Sequence, residues 1–183
     1  MNRDKALEAI HTSVQNENLV KHMLATEAIM RALAHRLGED GETWGLVGLL
    51  HDIDVELTQD DFNRHSRVGS EMARELGASD EMCRAIFCHN EVHGVPCESV
   101  MAKALFCTDP LTGLITAAAL VRPDKSLSGV TAETLSKRFK EKRFAAGARR
   151  DVIASCGEIG LDMEEFLELG LKAMQEVAAD LGL

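Results

Sequence analysis

Residues 44–54 read Trp44-Gly45-Leu46-Val47-Gly48-Leu49-Leu50-His51-Asp52-Ile53-Asp54. The first seven are apolar on every side of a helical wheel, which predicts a helix buried all round. A helix surrounded by other structure needs neighbours of its own kind or a sheet. The rest of the chain supplies helices, because alternating apolar and polar runs are absent, tyrosine is missing and β-branched residues are scattered. His51 and Asp52 then stand at the end of a buried element. An ionised carboxylate there requires a counter-charge, either a metal ion or an ion pair.

Working outward, helical spacing predicts helices near 3–15, 17–37, 41–54, 64–76, 80–90, 98–121, 131–141, 148–158 and 162–181. Gly38 and Gly77 follow apolar stripes as C-terminal caps do. Asn16, Asp80 and Asp162 are expected to cap the helices that follow them. Pro110 falls inside one long helix, where a kink or break is expected. The expected fold is an all-α helical bundle. Residues 1–183 are read as one domain, with a core at about 17–121 and a basic, helical C-terminal extension over 122–183.

Four further polar residues repeat the anomaly of His51 and Asp52. His22 continues the stripe of Thr26, Ile29 and Leu33, and His65 heads that of Val68, Met72 and Leu76. His89 ends the stripe of Met82 and Ile86, and Asp109 ends that of Ala102 and Leu105. Each lies on the face its helix should turn inward. Imidazole and carboxylate together suit Fe, Mn, Zn or Co, and six such groups match two ions bridged by one carboxylate.

The ordered set His22, His51-Asp52, His65, His89 and Asp109 resembles the HD superfamily of metal-dependent phosphohydrolases, in particular its two-metal members. The local contexts Gly-Leu-Leu-His-Asp-Ile, His-Ser-Arg-Val-Gly, Ala-Ile-Phe-Cys-His-Asn and Lys-Ala-Leu-Phe-Cys-Thr-Asp carry the resemblance over about residues 17–121. A bacterial group of HD proteins is similar further on, through Asp109-Pro-Leu-Thr-Gly and Phe144-Ala-Ala-Gly147. The resemblance implies an HD-type bundle with two divalent transition-metal ions. His22, His51, Asp52 and Asp109 would hold one ion. Asp52 would bridge to a second, completed by His65 and His89, and a bridging hydroxide would attack a small phosphorylated substrate, such as a nucleotide. Two alternatives stay open: a di-iron oxygenase, which in this superfamily has the same ligand set, and a metal-containing binding or regulatory module without catalysis. Asp54 and Glu56 depart from the family pattern, standing where many relatives have a lysine. Either acid is a candidate to orient a ligating histidine.

Outside this set, His93 lies four residues after His89 and is a candidate general acid if the helix continues, although Gly94 follows at once. Lys103, nearly two turns before Asp109, is a candidate contact for a substrate anion. Segment 122–150 carries nine Arg and Lys against three acids, in a chain whose formal net charge is −10. Lys140 and Arg143 in that run are candidates for an anion-binding wall, and Phe139 and Phe144 predict that the run packs onto the bundle. The overall acidity argues against nucleic acid and anionic membranes as partners. No apolar run approaches the roughly 20 residues of a membrane span, and no basic-then-apolar leader opens the chain. Five cysteines, Cys83, Cys88, Cys97, Cys107 and Cys156, show no CxxC pairing and are read as reduced and mostly buried, which gives a cytoplasmic expectation.

Overall fold

A computed structural model describes all of residues 1–183 and contains helices and turns but no strand. The helices are α1 (Arg3–Ser13), α2 (Glu17–Leu37), α3 (Gly41–Leu50), α4 (Arg67–Glu75), α5 (Asp80–Cys88), α6 (Val100–Leu120), α7 (Ala132–Lys140), α8 (Arg150–Ala154), α9 (Met163–Glu176) and α10 (Ala178–Leu181). The all-α expectation is met.

The central pair is α2 against α3. Gly48 makes this approach possible, because a Cβ at that position would lie 2.8 Å from the Thr26 carbonyl oxygen and 2.9 Å from the Glu27 amide. Around the pair, α5, α6 and α9 close the bundle. One contiguous core includes Ile29 and Leu33 of α2, Leu49 and Leu50 of α3, Ile86 of α5, Leu105, Leu111 and Ile115 of α6, and Phe166 of α9. The extension beyond residue 122 adds Leu127, Leu135, Ile153 and Cys156 to the same core. Phe139 and Phe144 pack against it, as the basic run predicted. Arg150 is what folds that run: its guanidinium donates to the carbonyls of Phe139, Phe144, Ala145 and Ala148, at 3.2, 2.5, 2.7 and 2.6 Å.

Several boundaries differ from expectation. Helix α3 stops at Leu50 rather than at residue 54, because the His51 imidazole takes the Gly48 carbonyl at 2.7 Å and the chain continues in short turns. Ser79, not Asp80, caps α5, accepting from the Met82 amide. Asn16, Asp162 and the left-handed Gly38 and Gly77 sit at helix ends as expected. Pro110 does not break α6. The missing donor costs about 3 kcal/mol, and burial of Ala104 and Leu105 before it and Leu111, Leu114 and Ile115 after it outweighs that cost. The expected helix 148–158 divides into α8 and a 3-10 turn at Ser155–Ile159, and that at 162–181 divides at Val177, which leaves helical geometry. No two cysteines are bonded, and all but Cys97 are buried. No helix is long and apolar enough to cross a membrane.

Candidate metal centre

Five elements deliver the six side chains to one place. His22 comes from α2, and Asp109 from α6. His51 and His89 occupy the C-cap positions of α3 and α5, and both use the same device: Nδ1 donates to the carbonyl three residues back, Gly48 for His51 at 2.7 Å and Ile86 for His89 at 2.6 Å. The ring thereby ends its own helix and is fixed in orientation. His65 precedes α4, next to Ser66, which adopts the left-handed conformation at φ 64° and donates its hydroxyl to the Phe87 carbonyl at 2.8 Å. A non-glycine residue in that region costs on the order of 1–2 kcal/mol, and here the strain is spent in turning the chain so that His65 faces inward.

Asp52 is the hub. Its Oδ1 lies 3.5 Å from His51 Nε2, 3.4 Å from His65 Nε2 and 3.4 Å from His89 Nε2, while Oδ2 lies 3.6 Å from His22 Nε2. Asp109 Oδ1 is 3.1 Å from His22 Nε2 and 3.9 Å from His51 Nε2. Two compact trios suited to a metal ion emerge, His22-His51-Asp109 and His51-Asp52-His89.

The tautomers follow from the partners. Asp54 is fully buried and accepts from His65 Nδ1 at 3.0 Å and from the Gly69 amide at 2.7 Å. His22 Nδ1 lies 2.8 Å from Thr112 Oγ1, whose hydroxyl proton is already committed to the Asp109 carbonyl, so the threonine oxygen accepts. In its neutral form each of the four imidazoles therefore carries its proton on Nδ1 and turns an Nε2 lone pair toward Asp52. His22 and His51 place these nitrogens 3.1 Å apart. Lone pairs converging on two carboxylates in a buried site call for a cation, and this donor set fits a divalent transition metal.

Within the cluster the carboxylates and imidazoles shift one another's ionisation against the effect of burial. Burial favours neutral His51 and pushes it down to about 4. Burial also disfavours the charged form of His65, yet hydrogen bonds to Asp52 and Asp54 prevail and raise it to about 10. His22 and His89 are raised against the same burial by Asp109 and Asp52, respectively. Burial opposes ionisation of Asp52 and Asp109, and the surrounding imidazoles nevertheless hold both below the ordinary carboxylate range.

The cluster opens into a cavity of about 420 Å³, lined by Asp52, His65, His89 and Asp109 together with Val55, Phe62, Asn90, Glu91, Val92 and Arg149. The remaining sequence candidates lie elsewhere. His93 falls in a 3-10 turn (Glu91–His93), because α5 has already ended. Its Nε2 donates to the His65 carbonyl at 2.8 Å, and its ring stacks on Phe87. It braces the His65 segment and does not line the cavity. Lys103 pairs with Glu158 at 3.5 Å in a neighbouring pocket. Lys140 and Arg143 are exposed and are not among the cavity's lining residues. Glu56 does not reach a histidine; it accepts from the Gln15 and Asn16 amides.

Two residues were passed over in the sequence. Arg149, a member of the basic run, reaches the cavity wall because α8 folds back beside α6. Asn90 is buried and donates to the Phe62 and His65 carbonyls, both at 3.1 Å. Its place directly after His89, at a helix end, was the available signal.

The family model described as HD domain matches residues 19–114, a span that includes all six clustered side chains and excludes Arg149. Among curated proteins, the chain is similar to Ribonuclease Y of Oleidesulfovibrio alaskensis, 30% identical over 98 residues, which are 54% of this chain and 18% of that protein. Ribonuclease Y of a Sulfurovum species is 29% identical over 139 residues, 74% of this chain and 27% of that one. Ribonuclease Y of Salinispora arenicola is 35% identical over 89 residues, 48% and 15% respectively. The chain spans less than a third of the length of these relatives. No solved structure matches.

Proposed function

Because this chain belongs to the HD-domain family, we propose that it is a metal-dependent phosphohydrolase acting on a small phosphorylated molecule in the cavity above Asp52. The observation that carries the reading is the set of four imidazoles with Nδ1 already occupied and Nε2 free toward two carboxylates. His22, His51, Asp52 and Asp109 would hold one ion, and Asp52, His65 and His89 a second. Divalent ions so held supply acidity to water and offset charge on a phosphoryl group.

The chain's own part is positioning. Asp52 faces all four rings and serves both halves. Thr112, Asp54 and the Gly48 and Ile86 carbonyls fix the rings, so little reorganisation accompanies metal uptake. The wall residues then bind and orient the ester. The curated relatives are named as ribonucleases, and a nucleotide or phosphodiester belongs in any substrate panel for that reason.

The test begins with elemental analysis of protein purified without chelator. Phosphate release from phosphoesters is then measured with Mn²⁺ in parent and Asp52→Ala protein. Metal-dependent release by the parent alone supports the reading. Oxygen uptake with Fe(II), in the absence of any phosphate release, would replace it with the oxygenase alternative.

A further inference from the structure

The floor of the cavity is the histidine and aspartate cluster, but its wall has a different chemistry. Three apolar side chains, Val55, Phe62 and Val92, line it beside a single cation, Arg149. Phe62 and Val92 remain 58% and 51% exposed. The Phe62 ring stacks on His65, with centroids 5.1 Å apart and planes 30° from parallel. One ring face is therefore covered and the other is left to the cavity and solvent.

These residues are held in place. Asn90 ties the Phe62 and His65 carbonyls to the turn that carries Val92, and also accepts from the Val92 amide at 3.2 Å. His93 adds a second tie to the His65 carbonyl. Arg149 pairs with Glu91 from the same turn and with Asp151 at 2.7 Å. A guanidinium between two carboxylates on a cavity wall keeps donors for a further anion, since it has five N–H groups. Beside it, Phe62 and Val92 keep about half of their surface exposed.

We propose that this wall is a two-part recognition site, in which Arg149 takes the phosphoryl group of the substrate and Phe62 with Val92 takes a flat apolar ring attached to it. The substrate class is then an aromatic phosphate monoester, with an aryl or heteroaryl group close to the phosphate, rather than an aliphatic one. This inference rests on the phosphohydrolase reading above and specifies its substrate. Lys140 and Arg143 have no part in it.

The experiment uses the full chain loaded with Mn²⁺ and two probes, phenyl phosphate and methyl phosphate. Binding is followed by calorimetry and by ³¹P relaxation from the bound Mn²⁺. Parent protein is expected to bind phenyl phosphate about three- to tenfold more tightly, the scale of one aromatic contact. Phe62→Leu, which keeps an apolar side chain but removes the ring, should erase most of that preference and leave methyl phosphate unchanged. Arg149→Ala should weaken both probes by about tenfold or more, with Arg149→Lys in between and metal content unaltered. Equal affinity of the parent for the two probes overturns the ring assignment, and parent-like binding by Arg149→Ala overturns the anion assignment. If the Mn²⁺-loaded parent binds neither probe, this inference fails, while the phosphohydrolase reading is decided separately by metal-dependent phosphate release from the wider panel of nucleotides and phosphodiesters.

Discussion

Asp54→Asn changes one atom, and its consequences can be worked from two hydrogen bonds. The carboxylate is fully buried and accepts twice, from His65 Nδ1 at 3.0 Å and from the Gly69 amide at 2.7 Å. An asparagine accepts on only one of its two terminal atoms. If its oxygen stays on Gly69, its NH₂ faces His65 Nδ1, and the imidazole must move its proton to Nε2, the atom proposed for ligation. If its oxygen stays on His65, the NH₂ meets the Gly69 N–H, donor against donor, at a fully buried position. The carboxylate sits close against α4, since a Cβ on Gly69 would lie 3.0 Å from Asp54 Oδ1.

The first outcome lowers affinity for the ion held by His65 and His89 by about 10–100-fold, the usual effect of removing a partner that orients a ligand. The second leaves a buried donor unsatisfied, at about 1–3 kcal/mol. For a chain of this length, 2 kcal/mol corresponds to a fall in Tm of about 4–8 °C. Titration of chelator-treated protein with Mn²⁺ or Co²⁺ by calorimetry reads the first effect, and thermal denaturation of the same sample reads the second. The half of the site built from His22, His51 and Asp109 should keep its affinity, which separates lost orientation from general unfolding. Two ions bound with parental affinities at the parental Tm would refute the role assigned to Asp54.

Asp52→Ala should lose both ions and all metal-dependent turnover, while His65→Ala should retain one ion and lose most turnover; metal content and phosphate release measure both. Gly48→Ala places a Cβ against backbone atoms of α2 that cannot swing aside. It should cost about 1–3 kcal/mol, read as a lowered midpoint in urea; Gly45→Ala meets the Arg31 side chain, which is hydrogen-bonded to buried Glu27 and to Glu42, and should also lower the midpoint because that pairing must shift. An unchanged midpoint for Gly48→Ala would show that the helices are not in contact there. Replacing Lys140 and Arg143 together by Ala should leave KM for a phosphorylated substrate unchanged at low and high salt, since neither lines the cavity; a several-fold rise would return the basic run to the binding site.

The sequence by itself determined the helices and the six inward-facing polar residues. Both are consequences of local spacing: a stripe at helical period must face the core, and any polar residue on that stripe goes with it. His22, His51, Asp52, His65, His89 and Asp109 could be grouped for that reason, before it was known that they meet within 4 Å of a neighbour around Asp52. The tertiary structure alone decided which groups support them. Asp54 and Glu56 are two residues apart and equally plausible in the chain, yet one is buried on His65 and the other caps the α1–α2 turn. That choice depends on where α4 and α1 pack, far away in sequence. Arg149, Lys140 and Arg143 are likewise indistinguishable as charges in a basic run. Only the return of the chain through α8 brings one of them to the cavity and leaves the others in water, because a charge on a long side chain carries no periodicity from which its neighbours could be read.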